Sequence, residues 1–499
     1  MNYTLIVVSL FLIYRTYDSL YKLQLTGYHS RDYFKWIKSN FIRYHEIVLY
    51  LTLPFLMYTE YLLIRLIVCG YILYIFISKK KNRKKLMLTP RIGRLLMINL
   101  ILFSASVFLL NYKTSIFNGI FLISVFNYII TMISNYILYP FEKHVHTKFK
   151  NEAIKKINES EVEVIGITGS YGKTTAKEYL YTLLCNYFKV RKTPDSYNTP
   201  MGISKTVNEK LKFNDEIFIA EMGARRVGEI EEISKMIRPK YGVLTWVGVQ
   251  HLETFESIES ITKTKFELIE SLPEDGVGFI NTDCEAIRNY EIQNSCKIVT
   301  FGLEDADYTA RNVSYTQYGM KFDVYFKDEF LISLTPKVLG KYNIYNILAA
   351  VAVSRELGLT ENQIEVMTYT LSTVKNRLEL KRNGRLTIIN DTYNSNPLGF
   401  EMALDVLELM EGDKYLITPG MVELGSQAEV EHRNLATKID ETCDVVILTS
   451  ENAKYLGKHI NNNNLFAVES ITEAMKLFNR IYDGKRATLL LENDLPDNY

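Results

Sequence analysis

No two of the five cysteines stand close enough to form a CxxC pair, and their number is odd. That excludes a zinc ribbon or a CxxC redox site and argues against a disulfide framework. A reducing compartment therefore suits the soluble part of the chain. An excess of one charge is also missing. Against 58 Lys and Arg stand 57 Asp and Glu, for a net charge of +1. No global field steers the chain to nucleic acid, and none is expected as a partner. No GxGxxG occurs in the last third, so a dinucleotide is not expected there. Apolar runs of spanning length are missing after residue 145. No Ala-x-Ala-like cleavage site follows the first apolar run, Met1 to Tyr14, which reads as an uncleaved anchor.

What the first 145 residues do contain is hydrophobic. Residues 46–78 are apolar but broken by Pro54, Glu60 and Arg65. Residues 95–110 and 116–139 approach or reach the ~20 residues a bilayer requires, and the short gap between them predicts a helical hairpin. Lys79, Lys80, Lys81, Arg83, Lys84, Lys85, Arg91 and Arg94 have no acidic residue among them, which places that loop in the cytoplasm. Arg15, Lys22, Arg31, Lys35, Lys38 and Arg43 place the first loop there too. Residues 46–78 must then enter and return, as a short hairpin or a re-entrant element. Glu60 and Arg65 either pair within the membrane or mark a turn at its interface.

The rest of the chain is organised around Val164 to Tyr181, VIGITGSYGKTTAKEYLY. A β-branched run turns through Gly169, Ser170, Tyr171 and Gly172 and continues as a helix opening on Lys173, Thr174 and Thr175. Glycines let the backbone approach a polyphosphate, and free helix N–H groups point at it. Thr168, Gly169, Ser170, Gly172, Lys173, Thr174 and Thr175 are the candidates, with Lys173 supplying a charge and Thr174 a hydroxyl for Mg²⁺. Ile167 stands where the full GxxxxGK[ST] motif has its first glycine.

From His146 on, apolar strands alternate with amphipathic helices, which predicts an α/β fold with a largely parallel sheet. Glu221 ends one apolar run, and His251 follows another, Tyr241 to Val247. In an open parallel sheet, ligands bind beyond the carboxyl ends of strands. Thr174, Glu221 and His251 are thus candidate Mg²⁺ ligands. Lys263 and Lys265 lie on a helical run, Ser257 to Ser271, and by residue chemistry alone read as surface charges. Runs at Tyr415 to Thr418, Asp444 to Leu448 and Ala487 to Leu491 predict a further α/β unit, beginning with residues 382–391. Asn390 to Pro397 ends a strand and enters a helix at Pro397.

In order, TGSYGKTT, AEMG with GEIEEI, HLETF with SIESITKTKFE, GKYNIYNILAA, NRLE and DTYNSNP resemble the Mur ligases, from about Val162 to about His432. The resemblance implies a P-loop-type central ATPase domain over residues 146–375 and a Rossmann-like C-terminal domain over residues 376–499. An α-helical transmembrane region, residues 1–145, precedes them, where the family has a soluble domain for the UDP-sugar. It implies an ATP- and Mg²⁺-dependent amide ligase in which a carboxylate takes the γ-phosphoryl group and an amine then displaces phosphate. Lys173 would hold the β- and γ-phosphates, Thr174 and Glu221 one Mg²⁺, and His251 a second. Lys265 falls where the family carries a carbamylated lysine. Asn346 would contact adenine, Asp391 the ribose, and Arg377 the nucleotide from the domain boundary. Asn198, Asn394 and His432 would face the substrates.

The expected reaction joins a small carboxylate and an amine on a cell-wall or envelope precursor. The precursor could be lipid-linked, because the anchor sets the site beside a bacterial cytoplasmic membrane with the catalytic domains in the cytoplasm. Other envelope-synthesis enzymes would be neighbours. The alternative is a membrane nucleotide-binding scaffold or sensor that ligates nothing.

Overall fold

The computed structural model describes residues 2–41, 62–78, 86–111, 116–194, 197–248, 255, 257–393, 396–421, 424, 428–449 and 453–493. The chain forms two compact units, Met1–Thr147 and Lys148–Leu495.

The first unit is helical: Asn2–Leu25, Ser30–Phe41, Leu62–Ser78, Pro90–Asn111, Ile116–Val125 and the start of Asn127–Asn158. Apolar side chains lie on its outside as well as in its core, and polar ones lie inside. Ile6, Ile13, Leu100, Ile101 and Phe108 are exposed, whereas Arg15, Ser19, Asn99, Asn127, Thr131 and Ser134 are buried. The buried groups bond to one another: Ser19 Oγ donates to Asn127 Oδ1 at 2.7 Å and Ser134 Oγ to Asn99 Oδ1 at 2.5 Å. Apolar clusters around Phe11 and Phe121 and around Leu23 and Leu95 share the interior with these bonds, and an apolar exterior is what a lipid solvent favours. Pro90–Leu109 is long and apolar enough to cross a membrane.

The run expected to be continuous over residues 116–139 is instead bent by 71° between Val125 and Asn127. The buried Arg15 guanidinium donates to the carbonyls of Ser124 and Val125, both at 3.2 Å, and so satisfies backbone groups that the bend frees. Residues 46–61 and the basic run 79–85 lie outside the described residues, as do the Glu60 and Arg65 side chains.

The second unit holds two sheets. The first has nine strands: β1 (Glu163–Thr168), β2 (Val190–Lys192), β3 (Ile217–Glu221), β4 (Tyr241–Leu244), β5 (Val277–Asn281), β6 (Lys297–Gly302), β7 (Tyr308–Thr316), β8 (Gly319–Phe326) and β9 (Glu329–Leu334). They run in the order β2-β3-β1-β4-β5-β6-β7-β8-β9. Strands β1 to β6 are parallel, and β7, β8 and β9 extend the sheet as an antiparallel arm that the alternation of runs did not foretell. Because β1 is covered on both faces, it reads as an unbroken apolar run. Ile165 and Ile167 pack toward the helices Lys173–Leu184 and Asn343–Glu356, and Val164 packs toward the helix Ile258–Glu270.

The second sheet comprises β10 (Glu379–Asn383), β11 (Leu386–Asp391), β12 (Asp413–Thr418), β13 (Val445–Leu448), β14 (Leu465–Ala467) and β15 (Ala487–Glu492), ordered β10-β11-β15-β12-β13-β14. All neighbours are parallel except β10 and β11, a hairpin that turns through Gly384 at φ 58°. Thus residues 382–391 begin in a hairpin before the α/β unit. Asn396 caps the helix Pro397–Glu408, its side chain accepting from Gly399 N, as the proline at the first helical turn predicts.

Candidate active site

Strand β1 pairs with β3 on one side and β4 on the other, so the chain reverses its winding direction there. That switch point opens a crevice beyond the strand ends, where the register sets Ile167 opposite Glu221 and Thr168 opposite Leu244. The glycine loop lies in this crevice. Two of its glycines are required by their surroundings. A Cβ on Gly169, at φ 148°, would stand 2.2 Å from Thr245 Oγ1, and one on Gly172, at φ 81°, would stand 2.6 Å from Asn346 Oδ1. Gly172 also begins the helix Lys173–Leu184 and provides no side-chain cap, which suits an anion at the N–H groups of the first turn.

The loop is tied to the segment after β4. Ser170 N donates to Trp246 O at 2.6 Å, and Ser170 Oγ bonds with the backbone of Gly248. β4 ends at Leu244, short of the Val247 that its apolar run reaches. Thr168 is fully buried, and its hydroxyl donates to Met222 O at 2.9 Å. Its side chain and that of Ser170 therefore anchor the loop instead of offering hydroxyls to a ligand.

Lys173 Nζ donates to Gly169 O at 2.7 Å and Ser170 O at 3.0 Å. Burial pulls its pKa down to about 8, with the Glu221 carboxylate opposing the shift and Arg377 adding to it. Glu221 is also buried, which alone would raise its pKa. The ammonium groups of Lys177 and Lys173, with hydrogen bonds from Lys177 and Asn198, hold it below the usual value. Lys265 is 3% exposed on the helix Ile258–Glu270. Burial pulls it down to about 7, the nearby Lys173 charge adds to that shift, and Glu229 and Glu267 oppose it. Lys265 is therefore not a surface charge: it is buried, and it feels the charge of the loop lysine. Its helix is fixed by Glu267, which accepts from Gly228 N at 2.7 Å and Glu231 N at 2.9 Å.

On the other side of the loop, Gly172, Thr175, Asn346, Arg377 and Asp391 line one cavity. Arg377 Nη2 donates to Thr174 Oγ1 at 3.3 Å, while its guanidinium lies over the Tyr393 ring at 4.5 Å. Residues around the second sheet thus reach the phosphate loop. Asn346 Nδ2 donates to Asn343 Oδ1 at 3.2 Å. Trp246, Tyr342 and Tyr345 form an aromatic wall, with Trp246 lying 5.5 Å from Tyr342 and 5.6 Å from Tyr345 between ring centroids. Such faces suit a purine ring.

The family model for the Mur ligase middle domain matches residues 167–354, and that for the Mur ligase glutamate ligase domain matches residues 376–490. The middle and C-terminal regions of this chain are Mur ligase domains. Curated relatives named UDP-N-acetylmuramoyl-tripeptide–D-alanyl-D-alanine ligase support the same placement. That of Bacillus subtilis is 33% identical over 288 residues, covering 57% of this chain and 61% of the relative. That of Escherichia coli is 31% identical over 275 residues, covering 54% and 60%. The chain thus spans about three-fifths of the length of these relatives. A solved MurF ligase from Thermotoga maritima in complex with ADP superposes with a TM-score of 0.63 at 27% identity, covering 70% of this chain and 80% of that one.

Within the Mur ligase middle domain, Asn198 lies against the carboxylate: its Nδ2 donates to Glu221 Oε1 at 3.1 Å. His251 and Asn394 lie outside the described residues. In the C-terminal Mur ligase domain His432 is 2% exposed and has both ring nitrogens engaged, Nδ1 with Ala428 O at 2.6 Å and Nε2 accepting from Met421 N at 3.2 Å. It braces the segment after β12, and burial lowers its pKa. It does not line the cavity that holds Asn346, Arg377 and Asp391.

Sequence reasoning missed three contributors. The aromatic wall was one. Asn281 was another: it ends β5, lines the cavity, and its buried Nδ2 has no partner among the described residues. Its strand-end position was the available signal. The third, Lys177, lies one helical turn beyond Lys173 on the same helix.

Asp391 carries a pH prediction for the Mur ligase pair. Burial raises its pKa, against the opposing Arg377 charge, the Leu378 N–H and the hydrogen bond it shares with the Glu492 side chain. A carboxyl with a raised native pKa costs stability once ionised. The cost sets in as pH rises above the unfolded value of 3.8 and is complete once pH passes the raised native one. Asp391→Asn should therefore raise the thermal midpoint at pH 7 but not at pH 4, and, with Asp391 taken as the ribose contact that the family resemblance implies, should weaken ADP binding about tenfold at pH 7. Thermal melts at both pH values and ADP titration at neutral pH check this.

Proposed function

We propose that the protein is a membrane-anchored, ATP- and Mg²⁺-dependent amide ligase that adds a D-alanyl-D-alanine-type dipeptide to a peptide-bearing cell-wall precursor. The observation that carries this reading is the strand-end crevice that holds Lys173 and Glu221, with the buried Lys265 close enough to feel the Lys173 charge, beside a cavity lined by Asn346, Arg377 and Asp391. A nucleotide-binding scaffold has no need of the buried Lys265 beside the loop lysine. The donors suit Mg²⁺, because the Thr174 hydroxyl and the ionised Glu221 carboxylate are hard oxygen ligands, and this ion usually takes one or two protein ligands beside phosphate and water. Bound there, Mg²⁺ would neutralise charge on the β- and γ-phosphates.

In the proposed reaction the precursor carboxylate attacks the γ-phosphorus, the bond to the β-phosphate oxygen breaks, and ADP leaves. The dipeptide nitrogen then attacks the acyl carbon. The carbon–oxygen bond to phosphate breaks, and the amine gives up a proton. The Lys173 ammonium exchanges the carbonyls of Gly169 and Ser170 for phosphate oxygens. At about 7, the pKa of Lys265 leaves a large share of Nζ as free amine at neutral pH. That free amine can attack CO₂, lose a proton and become a carbamate anion, which reverses the sign of its charge beside the metal site.

Anchoring is supported by the apolar exterior of the helical unit and by the basic run of residues 79–94. It favours a lipid-linked precursor at the cytoplasmic face, where other envelope-synthesis enzymes could pass it on. The test incubates the full chain in lipid nanodiscs with ATP, Mg²⁺, the dipeptide and a precursor on either a UDP or a lipid carrier. Mass spectrometry should find a precursor heavier by one dipeptide, with ADP and phosphate in equal amount. ATP hydrolysis with no new amide would contradict ligation. Extension of the UDP-linked precursor alone would retain the ligase and remove the lipid carrier.

A further inference from the structure

The Lys177 side chain is completely buried, yet the proposed chemistry gives it no task. Its Nζ lies 2.9 Å from Glu221 Oε2, and Asn198 Nδ2 lies 3.1 Å from Glu221 Oε1. Two donors from two different elements thus clamp the carboxylate, one on each oxygen. Each oxygen keeps a lone pair, so the clamp orients the group without using it up. Glu221 N adds a third restraint by donating to Thr193 Oγ1 at 3.0 Å. Stability does not account for the pair, since a buried ion pair seldom stabilises a protein more than an apolar pair of the same volume. Its position does: the carboxylate ends β3 at the switch point, beside Lys173.

We infer that Lys177 is a positioning residue for the metal: with Asn198 it locks the Glu221 carboxylate in one orientation, and so sets the concentration at which a divalent cation joins the nucleotide. The inference rests on the reading that Glu221 binds that cation. A carboxylate already fixed loses little rotamer freedom when it takes a metal, and removing such a support typically costs ten- to a hundredfold in metal affinity. Lys177 is therefore separate from Lys173, which faces phosphate, although the two lie one turn apart on one helix.

The experiment titrates Mn²⁺ into the full chain with ADP and reads free Mn²⁺ by electron paramagnetic resonance. ADP binding without metal is measured alongside. Lys177→Met should weaken Mn²⁺ binding about tenfold and leave metal-free ADP binding unchanged. Should Lys177→Met fail to fold, Asn198→Ala removes the other arm of the clamp and should shift Mn²⁺ binding the same way. Glu221→Gln should lose at least as much, and Lys177→Met added to Glu221→Gln should lose no more. Wild-type or tighter Mn²⁺ binding in folded Lys177→Met or Asn198→Ala, with Glu221→Gln weakened, overturns the positioning role alone. Unchanged Mn²⁺ binding in Glu221→Gln overturns the metal reading beneath it.

Discussion

Lys173→Met is expected to lower kcat/KM about 10³-fold, mostly through kcat, while the protein still folds and binds ADP. The ammonium is partly buried and held by the carbonyls of Gly169 and Ser170, within the influence of Glu221. Phosphoryl transfer spreads charge over the β- and γ-oxygens at the transition state, so a cation aimed there acts more on the rate than on ground-state binding. The loop's backbone N–H groups and the cavity around Asn346 remain in the variant, which preserves most nucleotide affinity. Met keeps the length of the stem and removes the cost of burying a charge, so the thermal midpoint should not fall. Steady-state ADP release together with ADP calorimetry separates the two effects. A variant that binds ADP a thousandfold worse, with kcat intact, would show that Lys173 serves affinity alone.

Lys265→Met should lose turnover on a similar scale, yet melt at a higher temperature than the parent chain. Among the described residues no acid pairs closely with Lys265, and burial with the Lys173 charge draws it to about 7. A lysine so shifted costs native stability below the unfolded value of 10.5. The cost grows as pH falls toward about 7 and is complete below it. Met removes that cost and fills the volume. The wild-type activity should fall about tenfold per pH unit below about 7, as the free amine needed for carbamylation disappears, and should fall in CO₂-free buffer. Labelled CO₂ should give a carbamate resonance in the parent chain that Lys265→Met lacks. Full activity in Lys265→Met would remove this residue from the chemistry.

The two lysines also show how far the residues themselves could be read. Lys173 was legible because strand, glycines and helix are consecutive, and the loop's geometry is local. Glu221 was legible from one step more, the rule that ligands lie at strand ends. Lys265 was not: by chemistry a helix lysine is a solvated charge, and only the family resemblance singled it out. A spacing signal was nevertheless present. Lys265 stands four residues after the buried Ile261 and four before the buried Ile269, on the face that packs under the first sheet.

Other features depend on contacts between distant segments. The bend after Val125 follows from Arg15, more than a hundred residues away in sequence, bonding the carbonyls at the break. The antiparallel arm of β7, β8 and β9 breaks the βα alternation that predicted the rest of the sheet. The cavity brings Trp246, Tyr342 and Asp391 together, from the segment after β4, the start of a helix and the end of β11, and no spacing rule links the three. His432 resembled a substrate residue by motif, whereas tertiary packing engages both its nitrogens with backbone.

The measurement that bears most directly on carboxylate activation uses a precursor whose carboxylate carries a heavy oxygen isotope. Attack by that oxygen on the γ-phosphorus, followed by displacement by the amine, must deliver one labelled oxygen into the released phosphate. Mass spectrometry of the phosphate should therefore find one heavy atom per amide formed. Unlabelled phosphate, or release of AMP and pyrophosphate, would contradict the phosphoryl transfer assigned to the crevice at Lys173.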